Sequence, residues 1–173
     1  MEIKGAGLLY ALAGLMITFA GFSALLLSVR PAAGARSSLL DKYLAKTVMT
    51  YIFVLTAGAL LPTLLALYEL PERTIWRLSV LLFAPPMLAL QVTYPHRRRN
   101  VIGQTPPFPI YAVFVVLGAA VTLAMLGGIL ADVPYGGAVY VSGLTVDFFT
   151  VIYGYMIALD MIMRQPLDAP EGK

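Results

Sequence analysis

The chain has no cysteine and a single histidine, His96. No disulfide and no thiolate metal site can form, and a metal site would have to be built mostly from oxygen. Charge is scarce as well: 12% of the 173 residues are Asp, Glu, Lys or Arg, about half the share of an ordinary soluble domain. No phosphate-cradling Gly-rich loop, Gly-x-Ser-x-Gly or His-Glu-x-x-His occurs, which removes the usual signatures of nucleotide hydrolases, serine hydrolases and zinc proteases. His96 stands beside Arg97, Arg98 and Arg99 and far from any candidate nucleophile. No apolar run carries a lysine suited to a Schiff base or the repeated arginines of a voltage sensor. The expectation is a protein that is not an enzyme and has no cofactor and no metal. The net charge of +3 follows the loops between apolar blocks and does not point to nucleic acid.

What is abundant is apolar sequence: 60% of the chain, with a mean hydropathy of +0.83. It falls into five blocks at about 5–29, 47–68, 74–94, 110–131 and 137–163. About 20 apolar residues suffice for a helix to cross a bilayer. The fold class expected is therefore all-α, a single bundle of five transmembrane helices at 1–164. The polar tail 165–173 reads as disordered and cytoplasmic.

Prolines punctuate the blocks. Pro62 lies inside the second and leaves the carbonyl of Gly58 without its helical donor; Pro85 and Pro86 in the third should kink that helix and free the carbonyls of Leu81 and Leu82. The stretch from Pro95 to Pro109 reads as a long polar loop, in which Arg97, Arg98 and Arg99 either signal topology or hold anionic lipid headgroups. Small residues recur at helical spacing on the first block (Gly7, Ala11, Gly14, Thr18, Gly21, Ser28) and the fourth (Ala120, Ala124, Gly128). Such seams let another helix come close.

With five spans the ends lie on opposite sides. Arg30, Arg36, Lys42, Lys46, Arg97, Arg98, Arg99, Arg164 and Lys173 gather on one side, and Lys4, Arg73 and Arg77 on the other. Nine against three places the C-terminus in the cytoplasm and the N-terminus outside.

One residue breaks the pattern of the fifth block. Asp147 is a carboxylate inside an apolar run, where a charge costs at least about 2.5–3.5 kcal/mol to insert. On a helical wheel it shares a face with Tyr140, Gly143, Thr150, Gly154 and Ala158, opposite Phe149, Ile152, Met156 and Met163, so it should point into protein. Counting at 1.5 Å per residue puts Asp147, Gly58, Leu81 and Leu82 at one depth. The expected partner is then a backbone carbonyl freed by Pro62, Pro85 or Pro86, or a water touching one. An ionised Asp147 would instead need Arg73, Arg77 or a bound cation. Three roles stay open: a structural staple between helices, a station on an ion or proton path, or a contact with a polar group of a ligand or a partner subunit. The corresponding functions are a homo-oligomeric channel or transport component, and a non-catalytic scaffold or accessory subunit of a larger membrane complex.

Three stretches, Gly21-Phe22-Ser23 through Arg30, Trp76-Arg77-Leu78-Ser79, and Gly143-Leu144 with Phe148, resemble a pattern in small bacterial integral membrane proteins of unassigned function. The resemblance implies a bacterial inner-membrane location and carries over no site residue.

Overall fold

The computed structural model describes residues 3, 5–32, 39–131 and 136–163, and every regular element among them is helical. α1 is Ala6–Ala32, α2 Leu39–Ala66 and α3 Glu72–Ile102. α4 begins as a turn at Phe108–Ile110, widens into a π-helix over Tyr111–Leu117 and tightens again at Gly118–Leu130. α5 is Gly136–Met163. Each of the five contains a window long and apolar enough to cross a membrane, as in a multi-pass membrane protein. All five turn large apolar side chains outward, Phe22, Phe53, Leu81, Leu123 and Phe149 among them. A soluble monomer does not present such a continuous apolar surface to water.

α2, α3, α4 and α5 enclose the core, and α1 lies along α2 with a smaller contact to α5. That contact is aromatic: Phe19 meets Phe148 and Tyr155 edge-on at 5.9 and 5.5 Å between ring centroids. α1 therefore buries Leu9, Leu12, Ala13 and Met16 and turns its small-residue stripe away. Gly7, Ala11, Gly14, Thr18 and Gly21 are all exposed, and a Cβ on Gly7, Gly14 or Gly21 would meet nothing within 4 Å. Ala120 and Ala124 on α4 are exposed too. The α1 stripe and the Ala120 and Ala124 part of the α4 seam lie on the outer surface, while Gly128 is half-buried and a Cβ there would lie 3.5 Å from Val139.

The second departure is at the end of α3. The helix does not stop at Tyr94; it continues through Pro95 to Ile102, so His96 to Asn100 are helical. Its stop is Gly103, left-handed at φ 75°, whose N–H bonds to the Arg99 carbonyl at 2.9 Å. A glycine there escapes the Cβ clash that another residue would suffer. A proline inside a helix deletes one hydrogen bond and is tolerated when packing holds the turn; here Tyr94 and Arg98 are buried on either side of it. α3 also stays helical through Pro85 and Pro86, both on its exposed face. The tail 165–173 lies outside the described residues.

Candidate functional site

Asp147 is completely buried, at 0% exposure. The face of α5 that carries it is buried from Tyr140 through Gly143, Asp147 and Thr150 to Gly154, while Phe149 and Met156 face outward. The Thr150 hydroxyl folds back onto the Asp147 carbonyl at 2.7 Å, so it serves the helix backbone and leaves the carboxyl to other partners.

Those partners are side chains from two other helices. Gln91 of α3 donates from Nε2 to Asp147 Oδ1 at 3.2 Å. Thr122 of α4 places its Oγ1 3.2 Å from Asp147 Oδ2, 3.3 Å from Gln91 Oε1 and 3.0 Å from the Gly118 carbonyl. Gln91 and Thr122 are as enclosed as the acid, at 1% and 0% exposure. Gly118 backs the cluster: a Cβ there would lie 2.7 Å from Gln91 Nε2. Three helices thus meet at one carboxyl through one carboxamide and one hydroxyl.

The proline-freed carbonyl has a different partner. Pro62 deprives Gly58 of its helical donor, and the Tyr140 hydroxyl supplies the missing bond to the Gly58 carbonyl at 2.6 Å. Phe83 packs over the same glycine, where a Cβ would sit 2.5 Å from its ring. Leu81 and Leu82 turn their side chains outward, 51% and 54% exposed. Asp147 is therefore not in a layer with Gly58, Leu81 and Leu82: Tyr140 is seven residues before Asp147 and Phe83 eight before Gln91, which is roughly 10–12 Å along each helix. Counting inward from helix ends failed because the ends are not level. The first turn of α5 meets α3 at Trp76, where a Cβ on Gly137 would touch the indole, so α3 already projects further outward. The same offset removes Arg73 and Arg77 as counter-ions. Arg77 is fourteen residues from Gln91, about 21 Å along α3.

Gln91 and Thr122 are the residues that reading the sequence missed. A signal for Gln91 was present: Trp76, Val80, Phe83, Met87, Gln91, Tyr94 and Arg98 all lie on the buried stripe of α3, three or four residues apart. Of Gly143, Thr150, Tyr140, Gly58, Leu81 and Leu82, none contributes a side chain to the carboxyl. Gly143 instead makes room for Met125, whose sulfur a Cβ there would strike.

The surroundings differ above and below. Toward the Glu72 end, the cluster is covered by Leu144, Met125, Met87, Phe83, Tyr140 and Trp76, all buried, with Trp76 and Phe83 each about one ring contact from Tyr140 at 5.8 and 6.0 Å. Toward the Arg98 end, the interior is more polar. Tyr51 is buried with an unpartnered hydroxyl, and Tyr94 and Arg98 continue the stripe that holds Gln91. The arginines expected in a loop are thus on a helix: Arg98 is buried, Arg97 half-buried and Arg99 exposed.

Hydrogen counting shows what the cluster can do. Thr122 has one hydroxyl hydrogen and three acceptors in reach. If Asp147 is ionised, that hydrogen serves the carboxylate, and Gln91 Oε1 loses its donor. If Asp147 carries a proton, the three groups close a ring: Asp147 Oδ2 donates to Thr122, Thr122 donates to Gln91 Oε1, and Gln91 Nε2 donates to Asp147 Oδ1. Each group then donates once and accepts once, and no polar atom of the ring is wasted.

No protein-family model, no curated protein and no solved structure matches this chain.

Proposed function

We propose that the protein is a small membrane transport component in which Asp147 binds and releases a proton. The observation that supports this reading is the enclosed ring of Asp147, Gln91 and Thr122, complete in one state of protonation and broken in the other. A group of that kind has two discrete arrangements, as a proton-driven switch requires. The polar side chains toward Arg98, and the apolar and aromatic cover on the other side, favour exchange from the arginine-bearing end.

The test is isotope-edited infrared spectroscopy on the reconstituted protein. A neutral carboxyl gives a C=O stretch well separated from the carboxylate bands. The band is expected in wild type, absent in Asp147→Asn, and reversibly lost on alkalinisation. Proteoliposomes should dissipate an imposed pH gradient with wild type and not with Asp147→Asn. Sodium that removes the band at constant pH would make the transported species a cation exchanged for the proton. A band that never responds while the protein stays folded, with no flux, reduces the cluster to a staple.

The exposed stripe Gly7, Ala11, Gly14, Thr18 and Gly21 supports a second reading, an accessory subunit or homo-oligomer that packs through α1. Because the chain has no cysteine, Gly14→Cys gives a clean crosslinking probe. A homodimer band identifies the oligomer, and crosslinks to unrelated chains identify the larger complex.

For location, we propose the bacterial inner membrane with the N-terminus outside and the C-terminus in the cytoplasm, on the nine-to-three distribution of basic residues. Asn100, exposed on the last turn of α3, and Glu72, exposed at its start, lie at opposite ends of the helix. A cysteine at Asn100 should be labelled by an impermeant reagent only from the cytoplasmic side, and one at Glu72 only from outside. The reversed pattern would invert the orientation.

A further inference from the structure

The buried stripe of α3 ends at two arginines whose Nε atoms are buried and have no acceptor among the described residues. Arg98 is only 4% exposed, although a charged side chain is almost never that enclosed without a partner. Its Nη1 reaches the Tyr94 hydroxyl at a long 3.4 Å, and its Nε is buried with no partner. Arg97 runs back along the helix to donate from Nη2 to the Leu90 carbonyl at 2.9 Å, and its Nε is likewise buried and unpartnered. The Tyr51 hydroxyl is a third buried polar group without a partner. These groups are neighbours. Tyr43 donates to the Tyr94 carbonyl at 3.4 Å and interacts electrostatically with both arginines, while Tyr51 interacts with Arg97, Tyr94 and Tyr43.

An arginine keeps its charge in a protein, and its guanidinium offers donors only. Among the described residues no carboxylate meets either guanidinium, so both lack an acceptor that carries negative charge. Leaving buried donors unmet is costly, and a buried charge without a counter-charge is more so. The depth narrows the choice. Arg98 stands five residues before the Gly103 cap that ends this membrane-length helix, about 7 Å along the axis, and the Arg97 guanidinium reaches back from the same end to the Leu90 carbonyl, so the donors gather toward the end of α3 where a spanning helix meets lipid headgroups.

We infer that Arg97 and Arg98, with Tyr43 and Tyr94 beside them, form a phosphate-binding site at the membrane edge between α2 and α3, filled by the headgroup of an anionic phospholipid. The half-buried Arg97 gives the entry. The site differs from an exposed basic patch, which would use Arg99 as readily as Arg98. It takes an anion and not the proton of Asp147, and its Tyr94 and Arg98 border the polar side of that cluster.

The experiment uses the full chain in nanodiscs of phosphatidylcholine, with or without phosphatidylglycerol, and native mass spectrometry of the released protein. Wild type should retain phosphatidylglycerol in preference to phosphatidylcholine and unfold at a higher temperature when it is present. Arg97→Gln and Arg98→Gln should each lower retention at least roughly fivefold, the effect of one charge at the surface. Arg98→Lys keeps the charge and should fall between, so loss of fold is not mistaken for loss of binding. Arg99→Gln should change little. Inorganic phosphate titrated into the phosphatidylcholine discs separates the sources: an equal rise in stability would assign the site to free phosphate, and none would assign it to lipid. Equal retention of the two lipids with no effect of phosphate overturns the proposal. So does an Arg99→Gln loss as large as that of Arg98→Gln.

Discussion

Asp147→Ala is expected to destabilise the protein by about 2–4 kcal/mol, whereas Asp147→Asn should stay within about 1 kcal/mol of wild type. Alanine removes both interhelical contacts of the carboxyl and leaves the Gln91 amide and the Thr122 hydroxyl facing a small cavity in an interior with no exposed path at either residue. Interhelical hydrogen bonds inside membranes average only about 0.6 kcal/mol and reach about 1.7. Two lost bonds therefore supply part of the effect, and the cavity and the unmet donor supply the rest. Asparagine fills the same volume. Its Nδ2 can donate to Thr122 as a protonated Oδ2 would, and its Oδ1 can accept from Gln91, so the ring closes without a titratable proton. Reversible unfolding in mixed micelles, followed by helix signal against denaturant, measures both. If Asn destabilises as much as Ala, the ring is wrong and the carboxyl is ionised in the folded protein. If Ala costs nothing, the cluster contributes little to holding the three helices. Stability and flux are separable in Asp147→Asn, so this comparison reports on the ring and the infrared band reports on its use.

The sequence showed that Asp147 points inward but not what it meets. The reason is physical. In a helix the direction of a side chain follows from spacing within that helix, and the alternation of Tyr140, Gly143, Asp147 and Thr150 with Phe149 and Met156 is enough to orient α5. The partner depends on how far each helix is displaced along its axis relative to the next. That displacement comes from tilt, loop geometry and large contacts such as Trp76 against Gly137 and Phe83 against Gly58, none of which a helix count contains. The same distinction explains the arginines. Pro95 looked like a terminator because it lacks an N–H, yet the decisive residue is Gly103, eight positions later, where the backbone turns left-handed. Once α3 runs that far, Arg98 falls on the stripe of Gln91 and Tyr94 and must be buried.

The small-residue seams illustrate a further limit. In a soluble protein an apolar stripe marks the inside. In a membrane helix both faces are apolar, and small residues mark where a backbone can approach closely, without stating whether the approaching chain is the same molecule. Gly58, Gly118 and Gly143 have neighbours within the bundle; Gly7, Gly14, Gly21 and Gly127 have none within 4 Å of a Cβ. Only the three-dimensional arrangement separates the two sets.

That separation leads to the second large effect. Gly118→Ala is expected to damage the site without changing any residue of the ring, while Gly127→Ala, on the same helix, should be neutral or mildly stabilising. Intrinsic propensity favours alanine over glycine by about 0.8–1.0 kcal/mol in a helix interior, and at Gly127 nothing within 4 Å opposes that gain. At Gly118 the new methyl would lie 2.7 Å from Gln91 Nε2, 3.2 Å from its Cδ and 3.6 Å from Asp147 Oδ1. The carboxamide cannot move toward Asp147, so it must swing away and give up its bond to Oδ1. Overpacking of this kind costs about 1–3 kcal/mol, which exceeds the propensity gain over most of that range, so a net loss of up to about 2 kcal/mol is expected for Gly118→Ala. The infrared band of the Asp147 carboxyl should shift as well, since its C=O would lose the Gln91 donor. Gln91→Ala in the Gly118→Ala background supplies the control: with the carboxamide gone, the methyl has room, and the second substitution should cost less than it does alone. If the two effects simply add, Gly118 acts through the helix backbone, and its contact with Gln91 carries no energy.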